Sequence, residues 1–154
     1  MTDTTTGERG SVELQGVTKR FGTMVAVDRL NLSVQPGEFL SLLGPSGCGK
    51  TTTLRLVAGL DPCSGGRILL NGDDITSRPA GDRQVAMVFQ SYALFPHLDV
   101  GENLALGLRS RGVPRAERER RIASVLELLE LSALVRRRPA QLSGGQRQRV
   151  ALAR

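Results

Sequence analysis

The stretch "GPSGCGKTT", residues 44–52, follows an apolar segment and precedes a helix-like pattern. It matches G-x-x-x-x-G-K-[ST] in full. The glycines let backbone N–H groups turn inward around phosphate oxygens without a Cβ in the way. Lys50 would bring a positive charge to the phosphates, and the Thr51 hydroxyl suits a Mg²⁺ ligand. The stretch predicts a nucleoside triphosphate site, because a chance glycine-rich turn would not also have the strand–loop–helix context.

The two cysteines, Cys48 and Cys63, have no CxxC or metal-ligand spacing, so a zinc site is not predicted. Cys48 lies inside the phosphate loop. The simplest interpretation is a small residue that fits there, and a reactive thiol at a helix N-terminus is the alternative.

Length and composition indicate one globular domain with a core: 154 residues, 40 % hydrophobic and 23 % charged. No apolar run approaches the roughly 18–20 residues that a membrane span requires. The first ten residues have neither a basic flank nor an apolar stretch, so no secretion signal is predicted. We expect residues 1–10 to be a disordered lead-in and residues 11–154 to form the domain.

The net charge of +6 is concentrated in residues 109–138, where nine arginines and four glutamates give +5. A solvated helical face is the simplest interpretation. Alternatively, this basic segment could bind an acidic partner, a membrane surface or nucleic acid. Aromatic residues make up 3 % of the chain, too few for a base-stacking platform, so a nucleic-acid partner is not expected.

The N-terminal half has the patterns of strands. Residues 11–21 and 29–38 read as half-buried strands, the second with a period of two. Residues 38–44 and 83–90 contain a higher proportion of apolar residues than these two segments, and they predict strands covered on both faces. Residues 49–60 predict a helix ended by Gly59, and Asn71-Gly72 predicts a hairpin turn.

The C-terminal half has the patterns of helices. Residues 100–108 suggest one helix and residues 114–131 another, which would bury a stripe at helical spacing. The members of that stripe are Ile122, Val125, Leu126 and Leu129. Ser143 resembles the N-cap of a last helix that runs to Arg154. Strands followed by helices predict an α/β domain with a helical insertion.

Two further motifs carry a family resemblance. "LSGGQ", residues 142–146, matches the signature of ATP-binding cassette (ABC) proteins, and with the phosphate loop it makes the chain similar to an ABC transporter nucleotide-binding subunit. "VFQSYALFPHLDVGENLALGL", residues 88–108, resembles the Gln-loop segment of import ATPases for polyamines, maltose-type sugars, sulfate or iron. The resemblance covers residues 12–154. It implies an α/β P-loop NTPase fold with an antiparallel β-subdomain, a helical subdomain over about residues 95–142, and a missing C-terminal part.

The resemblance implies two subunits packed head to tail around two ATP molecules, with the signature of each completing the site formed by the phosphate loop of the other. Lys50 and Gln90 would then be catalytic, and Thr51 and Gln90 would contact Mg²⁺. The implied nucleotide contacts are Phe21, Gly44, Pro45, Ser46, Gly47, Cys48, Gly49, Lys50, Thr51, Thr52, Ser143, Gly144, Gly145 and Gln146.

Three of these assignments have alternatives. Phe21 corresponds to the aromatic residue that stacks on adenine, commonly Tyr in the family, and a core phenylalanine is the alternative. Gln90 would otherwise be a polar residue at a strand end. Residues 92–98 would face the coupling helix of the transport subunit, and His97 within them is expected to be a surface or interface residue rather than the switch histidine.

The resemblance implies an ATPase subunit at the cytoplasmic face of the membrane, coupling ATP binding and hydrolysis to import of a small solute. Its partners would be permease subunits, a second ATPase subunit and, indirectly, a periplasmic or extracellular solute-binding protein. The family continues with an apolar strand ending in Asp-Glu and a switch histidine, so we expect the sequence to be C-terminally truncated. The alternatives are a non-hydrolysing ATP-binding remnant, or an ABC-type ATPase of DNA repair or chromosome maintenance, whose long coiled-coil insertion is not indicated here.

Overall fold

The computed structural model of the chain describes residues 10–154, so the predicted lead-in falls almost wholly outside the described residues. The chain divides into two compact units. The first extends through Met87, and the second comprises Val88–Arg154. None of the helices in the described part of the chain is both long and apolar enough to cross a membrane.

The first unit contains a four-stranded antiparallel sheet. Its strands are β1 (Val12–Phe21), β2 (Met24–Val34), β3 (Gly65–Leu70) and β4 (Asp73–Asp74), in the spatial order β2-β1-β3-β4. The sequence pattern predicted β1 correctly, whereas β2 begins five residues earlier and ends four residues earlier than the strand predicted over residues 29–38. The turn at Asn71-Gly72 joins β3 to β4 with positive φ at both residues, as the Asn-Gly pair predicts.

Helix α1 (Lys50–Val57) lies in the same unit and confirms the helix predicted after the phosphate loop. Its C-terminal end has the predicted glycine: the N–H of Gly59 bonds the Leu56 carbonyl, and the N–H of Leu60 bonds the Arg55 carbonyl. The helix contributes one fully buried side chain to a core otherwise built by the sheet and the hairpin. That core consists of Leu14, Val17, Val27, Leu56, Ile68 and Ile75.

Two predicted strands are absent from the structure. Residues 38–44 and 83–90 are not assigned to any strand among the described residues. Phe39 and Leu43 are 93 % and 92 % exposed, the opposite of the burial predicted for a strand covered on both faces. A strand exists only where a neighbouring chain segment takes its backbone hydrogen bonds. Apolar composition predicts burial but does not specify that neighbour, and so these two predictions were wrong.

A buried arginine joins the end of α1 to the loop that follows the hairpin. Arg83 donates from Nη1 to the carbonyls of Leu56 (2.6 Å) and Val57 (3.0 Å), from Nη2 to the Thr76 carbonyl (2.9 Å), and from Nε to the Arg78 carbonyl (2.8 Å). Burial lowers the pKa of Arg83. Its charge is compensated by carbonyl dipoles, among them those at the negative end of the helix.

The second unit is helical. It contains α2 (Val100–Ser110), α3 (Arg115–Leu128) and α4 (Gly144–Ala153), with short 3₁₀ turns at Ser132–Leu134 and Pro139–Gln141. The predicted helix over residues 114–131 ends three residues early, because Glu130 adopts a positive φ that a helix cannot continue through. Leu126, of the predicted stripe, is buried. The core is formed by Val100, Leu104, Leu126, Leu131, Leu142 and Val150.

We expect Arg83→Met to destabilise the protein by about 2–4 kcal/mol, because it leaves buried carbonyls without donors. We expect Arg83→Lys to destabilise the protein by a smaller amount, because one ammonium cannot reproduce the planar fork of a guanidinium. Urea unfolding followed by circular dichroism measures both. Arg67→Met, on the exposed surface of β3, is the matched control. Equal unfolding midpoints for Arg83→Met and Arg67→Met would contradict the role assigned to Arg83.

Candidate functional site

The phosphate loop rests directly on strand β2. Gly49, the residue before α1, has φ of 93°, and a Cβ there would lie 2.6 Å from the Ala26 carbonyl oxygen and 3.3 Å from Val27 Cγ2. Any side chain at this position would push the loop off the strand. The sequence thus places glycine where the loop backbone meets the sheet.

The Lys50 ammonium lies inside the loop. Its Nζ donates to the carbonyl oxygens of Gly44 and Pro45, both at 2.7 Å, and is 3.4 Å from Cys48 Sγ. The side chain therefore folds back over the loop that precedes it. A positive charge is concentrated where the loop backbone turns, as the motif predicts for a group that binds phosphate.

The N-terminus of α1 has no side-chain cap. Its N-cap is Gly49, and the first turn contains no acidic residue. The first backbone bond to the helix start runs from the Thr53 N–H to the Gly49 carbonyl at 2.8 Å. The N–H groups of Lys50, Thr51 and Thr52 precede that bond, and such groups at a positive helix end favour an anion.

The residues present fit ATP with Mg²⁺. Glycines at positive φ at residues 47 and 49 turn the backbone around the loop, and the Lys50 charge neutralises phosphate. Thr51 is exposed next to them, so its hydroxyl is accessible to a hard cation. Pro45, Ser46, Cys48 and Thr52 complete the predicted loop, and the first three are exposed.

Phe21 lies at the end of β1, in the same unit as the loop. Its side chain is 46 % exposed, and its cross-strand partner is the exposed Met24. Phe21 is therefore not a core residue. The Lys19 ammonium lies 4.7 Å from the centre of its ring. Sequence reasoning did not identify Lys19.

The signature residues form the start of α4, in the second unit. Ser143 is the N-cap: its Oγ accepts from the Gln146 N–H (3.2 Å), and the Gln146 Oε1 accepts from the Ser143 N–H (2.8 Å). This reciprocal pair is a capping box. Gly144 and Gly145 are exposed, and a Cβ on either would meet nothing within 4 Å. Their N–H groups belong to the first helical turn and precede the intrahelical bonds.

Gln90 is exposed in the second unit, outside any strand, and the segment after it has an unusual backbone. Tyr92 and Ala93 have φ of 63° and 48°, values that residues other than glycine rarely adopt. Phe95 and His97 follow, with ring centres 6.0 Å apart in an edge-to-face arrangement.

A buried asparagine holds this segment to α2. Asn103 is fully buried, and its Oδ1 accepts from the Phe95 N–H at 2.8 Å. Its Nδ2 lies within hydrogen-bond distance of the carbonyls of Phe95, Leu98 and Asp99. Arg154 adds a bond to the Ala93 carbonyl and stacks on Phe95. Sequence reasoning missed both residues; the available signal for Asn103 was a polar residue within the apolar pattern of α2.

The predicted site residues thus fall into two sets. Phe21 and residues 44–52 lie in the first unit, and Gln90 and residues 143–146 lie in the second. Direct contacts are formed within residues 44–52 and within residues 143–146. Both sets contain a helix start whose first N–H groups precede the intrahelical bonds at its positive end.

Comparison with known proteins gives curated relatives of high similarity. The chain is 57 % identical over 152 residues to a spermidine/putrescine import ATP-binding protein of Frankia alni, covering 96 % of the chain and 33 % of that protein. It is 52 % identical over 147 residues to an Fe(3+) ions import ATP-binding protein of Escherichia coli, covering 96 % of the chain and 42 % of that protein. The chain therefore spans less than half the length of these relatives.

The structure resembles a solved cassette. The dimeric ATP-binding cassette MJ0796, in a post-hydrolysis state bound to ADP and Pi, matches with a TM-score of 0.78 and 34 % identity, over 92 % of this chain and 67 % of that one. The family described as ABC transporter matches residues 27–154. This match includes the phosphate loop and the signature. The chain belongs to the ABC transporter family and has the fold of its ATP-binding cassettes.

Proposed function

We propose that this chain is the ATP-binding part of an import-type ABC transporter ATPase. The observation that carries the proposal is the phosphate loop, a complete motif with the Lys50 ammonium inside it and Gly49 against the sheet. The names of the relatives, which are import ATP-binding proteins for polyamines and iron, support import. They favour it over DNA repair or chromosome maintenance.

ATP with Mg²⁺ supplies the γ-phosphoryl group whose transfer to water would drive transport. The chain's own residues bind and neutralise it. Lys50 and the N–H groups at the start of α1 hold the phosphates, and the Thr51 hydroxyl is the proposed metal ligand. Gln90 is proposed to contact Mg²⁺ or the attacking water, on the strength of its place in the family motif. Phe21 is proposed to stack on the adenine.

The signature residues are proposed to act on the nucleotide of a second ATPase subunit. The exposed start of α4 presents the N–H groups of Gly144 and Gly145 at a positive helix end, with the Ser143 hydroxyl beside them and Gln146 completing the cap. These donors suit a γ-phosphate that another subunit's loop leaves accessible. The similar cassette MJ0796 is dimeric, which supports this arrangement.

The segment over residues 92–98 is proposed to face the permease. Pro96 and His97 are exposed, and Asn103 holds the segment through its contacts with the Phe95 N–H and with the carbonyls of Phe95 and Leu98. A surface already ordered costs less conformational entropy on docking. We place the subunit at the cytoplasmic face of the membrane, with a solute-binding protein as an indirect partner and no nucleic acid.

Binding without turnover is the expected behaviour of a polypeptide of these 154 residues. The Asp-Glu pair that supplies the family's magnesium aspartate and general base is not among them. Loss of a general base costs about 10²–10⁴-fold in rate. Calorimetric titration should detect Mg²⁺–ATP binding that Lys50→Ala abolishes, while a phosphate-release assay should detect no steady-state turnover. Turnover equal to that of a longer relative, and sensitive to Lys50→Ala, would contradict this expectation.

Cys48 should report on occupancy of the loop. Its thiol is exposed and lies 3.4 Å from the Lys50 ammonium, so a maleimide on it would obstruct phosphate. We expect alkylation to block ATP binding and saturating Mg²⁺–ATP to slow alkylation. Mass spectrometry of the labelled peptides measures the rate, with Cys63, which is partly buried, as the internal control. Equal labelling rates of Cys48 with and without nucleotide would show that phosphate does not bind this loop.

A Gly144→Asp change tests the proposed action in trans, in the complete subunit. The new carboxylate would lie where the partner's γ-phosphate docks. Two like charges about 4 Å apart repel by about 1 kcal/mol in water and about 4 kcal/mol at an effective dielectric near 20. We expect the variant to bind ATP in its own loop but to fail in closure and turnover, as measured by nucleotide trapping and phosphate release.

Mixed dimers of Gly144→Asp and Lys50→Ala subunits separate the two modes of pairing. If the signature acts in trans, the intact loop of one chain faces the intact signature of the other, leaving one undamaged and one doubly damaged site. If it acts in cis, each site has one lesion. One trapped nucleotide per mixed dimer, with none in either homodimer, is the expected result. No trapping in the mixed dimer would rule out trans pairing.

A further inference from the structure

Lys19 is an almost completely buried lysine at the edge of the nucleotide site. Its side chain is 7 % exposed, and it shares one face of β1 with the core residue Val17 and with Phe21, since alternate residues of a strand point the same way. Its Nζ donates to the Pro62 carbonyl at 2.7 Å and lies 4.7 Å from the Phe21 ring centre. The ammonium is thus held between the loop after α1 and the face of the aromatic ring.

Within the described part of the chain, the Lys19 ammonium is buried without a carboxylate in its hydrogen-bonding shell. Burying an ammonium is costly unless it is paired, and the hydrogen-bond partner of Lys19 among residues 10–154 is a carbonyl rather than a carboxylate. The nearby Asp61 carboxylate accepts hydrogen bonds from Arg55 at 2.7 and 3.1 Å, which are the main cause of its lowered pKa, and the Lys19 charge adds to that effect from a longer distance. An apolar residue would fill the same space in β1 without the desolvation cost.

The Phe21 ring has little other support. It is the last residue of β1, it is half-exposed, and its cross-strand partner Met24 is also exposed. A ring in such a place would populate several rotamers. The Lys19 ammonium attracts the electron-rich face of the ring and so favours one orientation. One ring face is then directed to the ammonium, and the side chain is 46 % exposed.

We propose that Lys19 is a positioning residue that holds the Phe21 ring ready to stack on the nucleotide base. This inference rests on the proposed function, because it takes Phe21 as the base-stacking residue. Lys19 would not touch the nucleotide itself. It would therefore contribute to the affinity for the base and leave the affinity for the polyphosphate unchanged.

Two ligands separate these contributions. Mg²⁺–ATP uses the phosphate loop and the aromatic ring, whereas Mg²⁺–tripolyphosphate uses the loop alone. We expect Lys19→Met to weaken ATP binding by about two- to thirtyfold, the range of a partly desolvated cation–π contact, and to leave tripolyphosphate binding unchanged. Isothermal titration calorimetry measures both. Arg20→Met, on the opposite face of the same strand, is the matched control and should change neither.

Further variants keep the proposal testable if Lys19→Met does not fold. Lys19→Gln retains a donor for the Pro62 carbonyl but has no charge, and we expect it to weaken ATP binding as Lys19→Met does. Lys19→Arg retains a cation that stacks on aromatic faces, and should bind ATP within about twofold of the unmodified chain. Phe21→Ala should weaken ATP binding, and adding Lys19→Gln to it should cause no further loss.

Three results would overturn the proposal: unchanged ATP affinity in Lys19→Gln, an equal loss for ATP and tripolyphosphate, or additive losses in the double variant. An equal loss would mean that Lys19 supports the fold of the loop rather than the orientation of Phe21. Failure of the unmodified chain to bind either ligand is a distinct result. It would overturn the proposed function, and with it the premise on which the role of Lys19 depends.

Discussion

The contact between Gly49 and strand β2 is the constraint on which the site depends. The loop backbone lies so close to the Ala26 carbonyl that a Cβ would be 2.6 Å from it. That contact sets where the loop ends and where α1 begins, and therefore the direction of the helix's first N–H groups. Lys50, the first helical residue, is placed by the same contact, and its ammonium lies back over the loop. The antiparallel sheet thus supports the phosphate loop and also supplies most of the core of the first unit.

Leu56 and Arg83 together hold the other end of α1. Leu56 buries its side chain in the core, while its carbonyl accepts from Arg83. A helix of eight residues is too short to be stable on its own, so its order depends on contacts at both ends. Gly49 provides the contact at the start and Arg83 the contact at the finish. The residues that would bind phosphate are therefore held by strand β2 and by Arg83, neither of which is a predicted nucleotide contact.

Features decided within a few residues could be predicted from the sequence. The phosphate loop, the Asn71-Gly72 turn and the N-cap at Ser143 each depend on local backbone geometry, and all three have the predicted form. Residues 38–44 and 83–90 could not be predicted in the same way. Their apolar pattern is that of a strand. A strand also requires a neighbouring segment for its backbone hydrogen bonds, and the local pattern does not specify which segment that is.

The polar residues that sequence reasoning missed share one property. Lys19, Arg83 and Asn103 are residue types common on surfaces, yet each is buried and bonded mainly to backbone carbonyls. Those carbonyls belong to segments that the sequence does not place beside them. The only local signal is a polar residue inside an apolar pattern, as at Lys19 between Val17 and Phe21. Such a residue is compatible with an exposed side chain or with a buried side chain that is hydrogen-bonded to a carbonyl. Which of the two occurs depends on the tertiary fold.

The two helix starts suited to anions differ in what they leave available. At α4 the Ser143 side chain bonds the Gln146 N–H, so the helix caps its own third N–H and retains those of Gly144 and Gly145. At α1 the N-cap is Gly49, which has no side chain to offer, and every N–H of the first turn remains for a ligand. The start of α1 is therefore the stronger anion site, and Lys50 adds a full charge to it. The start of α4 is stabilised by its own capping box and presents fewer donors, none of them charged. This is expected of a surface that would complete a nucleotide site on a second subunit.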